Sequence, residues 1–115
     1  MDVSGLSLPE GLKKLTLDYN QIVDVSGLSL PEGLEMLALS DNQIVDVSGL
    51  TLPGGLTTLS LSGNQIVDVS CITKKSCPKL TVLNLSSNPI SQAEVDRIRE
   101  ELVGCVVTAK GRSLH

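Results

Sequence analysis

The chain has 115 residues, with 9 basic and 13 acidic side chains, a formal net charge of −4, no Phe, no Trp and a single Tyr. That length holds about one domain, and its core must be built from aliphatic side chains. The charge balance offers no basic field for nucleic acid, and the missing rings leave no platform for stacked bases. No apolar run reaches the roughly 18–20 residues that cross a bilayer.

From residue 2 the chain repeats itself with a period of 22 residues. Asp2-Val3-Ser4-Gly5-Leu6 returns as Asp24-Val25-Ser26-Gly27-Leu28 and as Asp46-Val47-Ser48-Gly49-Leu50, then decays at Asp68-Val69-Ser70-Cys71-Ile72. Each copy runs on into Leu-x-x-Leu-x-Leu-x-x-Asn-x-Ile, first at Leu12, Leu15, Leu17, Asn20 and Ile22, last at Leu80, Leu83, Leu85, Asn88 and Ile90. A fixed period of this size predicts a solenoid of stacked coils forming one domain. Its units are 2–23, 24–45, 46–67 and 68–90, followed by a cap over 91–108 and a tail over 109–115.

Within a unit, Leu15-Thr16-Leu17, Leu37-Ala38-Leu39, Leu59-Ser60-Leu61 and Leu83-Asn84-Leu85 alternate apolar, small and apolar, the pattern of a half-buried strand. Stacked, they predict a parallel sheet on the concave side, leucines inward. Asn20, Asn42, Asn64 and Asn88 follow where the chain turns away. An amide can satisfy backbone donors and acceptors of its own coil and the next, so these four predict a structural ladder and not a ligand site. Asp first and Gly fourth in Asp-Val-Ser-Gly predicts a type I turn with the carboxylate on a backbone N–H. Pro9, Pro31 and Pro53 then forbid a regular helix, so the convex wall is extended and turn-rich. The column Asp24, Asp46 and Asp68 invites a metal reading. Turn capping is preferred, because the neighbouring oxygens form no evident cage, and no cofactor or metal is expected.

The fourth unit loses the rhythm: Cys71 replaces Gly, Thr73 to Lys79 replaces the Leu-Pro-Glu-Gly segment, and the unit gains a residue. Ser91-Gln92-Ala93-Glu94 reads as a capping box opening a helix. Val95, Ile98, Leu102 and Val103 share its apolar face, while Asp96, Arg97, Arg99, Glu100 and Glu101 face water. Gly104 stops it, and Cys105-Val106-Val107-Thr108 reads as a last short strand pairing with the sheet. Lys110 to His115 reads as a frayed end. Cys71, Cys77 and Cys105 form no metal-site spacing. They fit reduced thiols in a cytoplasmic protein, with a Cys71–Cys77 bridge as the alternative. His115 is the sole histidine, which argues against histidine-based catalysis.

With these frames laid out, the chain resembles the leucine-rich repeat superfamily over residues 2 to about 108. The match is nearest to the short cytoplasmic class with repeats of about 22 residues. Asn88-Pro89-Ile90-Ser91 through Gly104-Cys105-Val106-Val107 is similar to a C-terminal cap of such proteins. The resemblance implies an α/β right-handed solenoid with a concave parallel sheet, a turn-rich convex side and a C-terminal capping helix. Its usual activity is protein binding. The chain departs from the pattern in having Met1 where later copies have Val23 and Val45, so no N-terminal cap is expected. Its first copies are also unusually alike, as after recent duplication or in a shortened or engineered array.

Differences between the copies point to a surface. The first and second units differ only at Lys13/Glu35, Lys14/Met36, Thr16/Ala38, Asp18/Ser40 and Tyr19/Asp41. All of these slots flank or interrupt the strand, while the exposed Ser and Asp of the convex turn are unchanged. The expected contact face is therefore Lys14, Thr16, Asp18, Tyr19, Met36, Ala38, Ser40, Asp41, Thr58, Ser60, Ser62, Val82, Asn84 and Ser86, with Tyr19 the leading hot spot. The function this predicts is a non-enzymatic module binding a protein or peptide, with neither nucleic acid nor membrane as partner. The alternative is a structural fragment or engineered scaffold that forms a homodimer through an uncapped first coil, with Leu6, Leu8 and Leu12 exposed there. An enzyme is the weakest reading, since no catalytic triad, Cys/His pair or phosphate loop is present.

Overall fold

The computed structural model describes residues 8–109. Five short strands and one helix follow in the order β1 (Lys14–Thr16), β2 (Met36–Ala38), β3 (Thr58–Ser60), β4 (Val82–Asn84), α1 (Gln92–Glu101) and β5 (Val106–Thr108). They form a single parallel sheet in chain order. Leu15, Leu37, Leu59, Leu83 and Val107 stand side by side in register. Each strand lies one residue earlier than the apolar alternation suggested. Ladder bonds begin upstream, where the Glu35 and Met36 N–H groups both donate to the Lys13 carbonyl. The pairing also continues past the strands, as in Leu39 N–H to Ser60 C=O and Asp41 N–H to Ser62 C=O.

The core is a stack of similar, largely aliphatic layers. Leu34, Leu37, Leu39 and Ile44 from one coil meet Leu56, Leu59, Leu61 and Ile66 from the next, all at 0% exposure. Leu8, Leu12, Leu15 and Leu17 of the first coil pack against this core but are only partly buried. The expectation of an open first coil also invoked Leu6, which lies outside the described residues, as does the tail from Lys110.

The asparagine column is a ladder. The Asn42 carbonyl oxygen accepts from the N–H groups of Asn20 and Ile22 one coil earlier. Its amide donates to the Leu17 carbonyl of that coil and to the Leu39 and Ser40 carbonyls of its own. Asn64 and Asn88 repeat the arrangement one coil further on each time. These are backbone groups that the turn takes out of the sheet, and burial without partners would cost free energy at each.

On the return path, Asp24, Asp46 and Asp68 each accept the N–H of the serine two residues on. The turn itself starts one residue later than the sequence suggested. Its closing bonds run from Leu28 to Val25, Leu50 to Val47 and Ile72 to Val69. The aspartate caps that turn from outside it. Gly49 is fixed by stacking, since a Cβ there would approach the Ser26 Cβ to 2.7 Å. Pro9, Pro31 and Pro53 each open a tight turn closed by the N–H of the leucine three residues on. The convex wall is thus extended and turn-rich.

The fourth unit gains two residues rather than one, since Thr58 pairs with Val82 where Met36 pairs with Thr58. The longer loop is tied by Ser76, whose hydroxyl accepts the Thr73 N–H and donates to the Cys71 carbonyl. All three cysteines are free thiols in this structure.

α1 closes the stack. Ser91 accepts the Glu94 N–H as its N-cap, and Val95, Ile98 and Leu102 are buried. Three expectations about this cap need correction. Val103 is 75% exposed, because the helix ends at Glu101 and Gly104 turns the chain with φ +91°. The Glu94 carboxylate does not reach back to Ser91. It accepts the Val69 N–H of the previous turn and pairs with Arg97 at 2.8 Å, so Arg97 is held in a half-buried ion pair. Ala109, assigned to the tail, packs against the core.

Candidate functional site: the outward face of the sheet

The strand register arranges the outward side chains in columns. The first column is Lys14, Met36, Thr58, Val82 and Val106, and the second is Thr16, Ala38, Ser60, Asn84 and Thr108. A third, just past the strands, is Asp18, Ser40, Ser62 and Ser86, and a fourth is Tyr19, Asp41, Gly63 and Ser87. All fourteen expected surface residues fall in these columns. Val106 and Thr108 were not among the expected surface residues: their strand was expected to pair with the sheet, but as part of the cap and not of the contact face. The signal was there in Val106-Val107-Thr108, whose central residue is inward like each strand leucine.

The columns differ in chemistry. The first changes from Lys14 through Met36 and Thr58 to Val82 and Val106, which are 40% and 65% exposed. It is an apolar stripe with a cation at one end. The second is a floor of small side chains, where Ala38 is 4% exposed and sits beneath its neighbours. The third is tied at Ser40 by hydroxyl bonds to the second column and to its own next member. Ser40 Oγ lies 2.7 Å from Ser60 Oγ and accepts from Ser62 Oγ at 3.0 Å, which leaves Ser40 only 9% exposed. Asp18 occupies the corresponding place in the first coil, where its carboxylate accepts the Ser40 N–H at 2.7 Å. Ala38, Ser40 and Asp18 thus shape the face and support it more than they project from it.

The fourth column forms a rim under a backbone constraint. Tyr19, Asp41, Gly63 and Ser87 all have positive φ, at 60°, 57°, 71° and 60°. That region disfavours side chains with a Cβ, so Gly63 is the unstrained member. Tyr19 stands on this rim at 78% exposure. The Asp41 carboxylate beside it raises the Tyr19 phenol above its ordinary pKa, by charge first and then as its hydrogen-bond acceptor. Lys13, by contrast, leans away from the face, its amine lying over Gly33 of the next turn.

Elsewhere the ionisable groups serve the scaffold. The Ser48 hydroxyl and N–H hold the Asp46 carboxyl below its usual range. Burial pushes the Cys71, Cys77 and Cys105 thiols up, which keeps them protonated and weakly nucleophilic. Among the described residues no group of three or more His, Cys, Asp or Glu side chains is gathered to hold a metal ion. No described helix is long and apolar enough to cross a membrane.

Coils of one strand, one buried asparagine and a turn-rich return define the leucine-rich repeat class. Two family models match, one for a leucine rich repeat over residues 10–66 and one for leucine rich repeats in two copies over residues 55–96. The chain belongs to the leucine-rich repeat family. Among solved structures it is similar to an internalin from Listeria monocytogenes, with 20% identity and a TM-score of 0.48 over 88% of this chain. The chain spans 43% of the length of that internalin. Comparison with curated proteins gives no match. Leucine-rich repeat domains generally mediate protein–protein contacts, using the extended surface that stacking creates.

Proposed function

We propose that this chain is a non-enzymatic interaction module that offers the outward face of its sheet to a protein or peptide partner. The observation that carries this reading is the placement of variation. The five positions that distinguish the first two copies are confined to the face and its approach, while the convex Asp and Ser stay constant. Those constant residues have a structural reason, since each aspartate caps its own turn. A polypeptide suits the face better than a polyanion, because Lys14 is the one cation in the four columns. Met36, Val82, Val106 and Tyr19 supply its apolar and aromatic contact area. A reducing, cytoplasmic setting is part of the same reading, supported by three free thiols, of which Cys77 is buried.

The test is affinity capture with the wild type and matched variants. Met36→Glu and Tyr19→Ala should lose the protein that the wild type retains, with melting temperatures nearly unchanged. Ser26→Ala, on the convex side, should retain it. Equal capture by all three variants overturns the proposal.

A further inference from the structure

β5 is the last strand of the sheet, and among the described residues no strand pairs with its outer edge. Its inner edge is in use. The Val106 N–H donates to the Thr81 carbonyl, and the Thr108 carbonyl accepts the Leu85 N–H. Backbone groups alternate sides along a strand, so the N–H and C=O of Val107 point outward. The strand is three residues long, and Val107 alone offers its backbone on that side. Half of the offer is already taken. The Arg99 guanidinium reaches from α1 to the Val107 carbonyl at 3.2 Å. A charged side chain laid over a sheet edge is a known way of preventing strand addition.

The surroundings of this edge are apolar. Val103 and Val106, at 75% and 65%, are the most exposed large aliphatic residues described, and they flank the turn into β5. Neither is needed for the cap, whose buried contacts come from Val95, Ile98, Leu102 and Val107.

We propose that the outer edge of β5 is a pairing site for β5 of a second copy of this chain, antiparallel about a twofold axis at Val107, with Arg99 as the latch that closes it. One outward donor and one outward acceptor on the same residue are self-complementary under twofold symmetry. The Val107 N–H of each copy meets the Val107 carbonyl of the other. The same register sets Val106 against Thr108 of the second copy, covering an exposed valine on each side. The two sheets become one continuous sheet. Arg99 competes directly, because its hydrogen bond uses the carbonyl that the second copy needs.

Sedimentation across a wide concentration range tests this, with circular dichroism to verify folding. Arg99→Ala removes the latch and should tighten dimerisation by about tenfold or more, the effect of losing a competing charge-assisted bond. Adding Val106→Lys on the Arg99→Ala background places a cation at the exposed edge position and should return the protein to monomer. In the Arg99→Ala dimer the Val107 amide should also become protected from hydrogen exchange. Arg99→Ala protein that associates no more tightly than wild type overturns the proposal. So does a dimer that survives Val106→Lys with the Val107 amide still exchanging freely, since that places the contact elsewhere.

Discussion

At the scale of single residues, the asparagine column shows how one side chain stabilises two coils. Asn64 is 0% exposed. Its amide oxygen takes the Ile44 N–H, and its nitrogen serves the Leu39 and Leu61 carbonyls. Asn64→Ala leaves these groups unpaired in a dry aliphatic core, so it should destabilise by about 1–3 kcal/mol. Asn20 is only half-buried, and its amide donates to Asp18 of its own coil. Asn20→Ala should therefore lose less, and denaturant titration of both variants checks the order. The four asparagines were legible as a ladder because their period and residue type both point to backbone pairing. The rim was not. Tyr19 and Asp41 read as contact-face positions, and their residue types gave no sign that positive φ constrains them together with Gly63 and Ser87. Only the glycine hinted at it.

At the scale of elements, the cap is bound to the coils by charge as well as by packing. Glu94 accepts the Val69 N–H and pairs with Arg97, and Glu101 accepts the Lys74 N–H of the irregular loop. The Arg97 guanidinium is the main reason the Glu94 carboxyl is held down at about 2, against an ordinary 4.5. A carboxyl depressed in the folded state stabilises fully above its unfolded pKa and loses that contribution as pH falls toward the folded one. Stability should therefore drop between pH 4.5 and about 2. Glu94's share, discounted for solvent screening of a pair with side chains 17% and 39% exposed, is roughly 1–2 kcal/mol. Glu94→Gln should flatten this part of the pH profile of the urea midpoint; an unchanged slope would mean that the ion pair is idle. The helix and its N-cap serine were legible from Ser91-Gln92-Ala93-Glu94. The turn of the Glu94 side chain toward Val69 was not, because Val69 is 25 residues away and comes near only through stacking.

At the scale of the whole molecule, the repeats were legible because successive coils turn the same aliphatic positions inward, so the period appears directly in the sequence. The sheet's fifth strand was harder to assign to the contact face, because β5 carries no leucine frame and reaches β4 only after α1 has crossed the end of the stack. That geometry makes the cap the closing element of a one-dimensional array, in which each layer is covered by the next. Removing residues 91–109 would uncover the last layer, where Leu80, Leu83 and Leu85 are 4%, 0% and 1% exposed. Each fully buried leucine is worth about 1.5–3 kcal/mol relative to exposure, and the β4 edge would lose its partner as well. Such losses are comparable with the roughly 5–15 kcal/mol that hold a domain folded. The truncated chain should therefore aggregate, or bind a hydrophobic dye and melt without cooperativity, while the full chain melts sharply. A soluble truncation with a single cooperative transition near that of the full chain would show that the coils stand without their cap, and that α1 and β5 serve the surface alone.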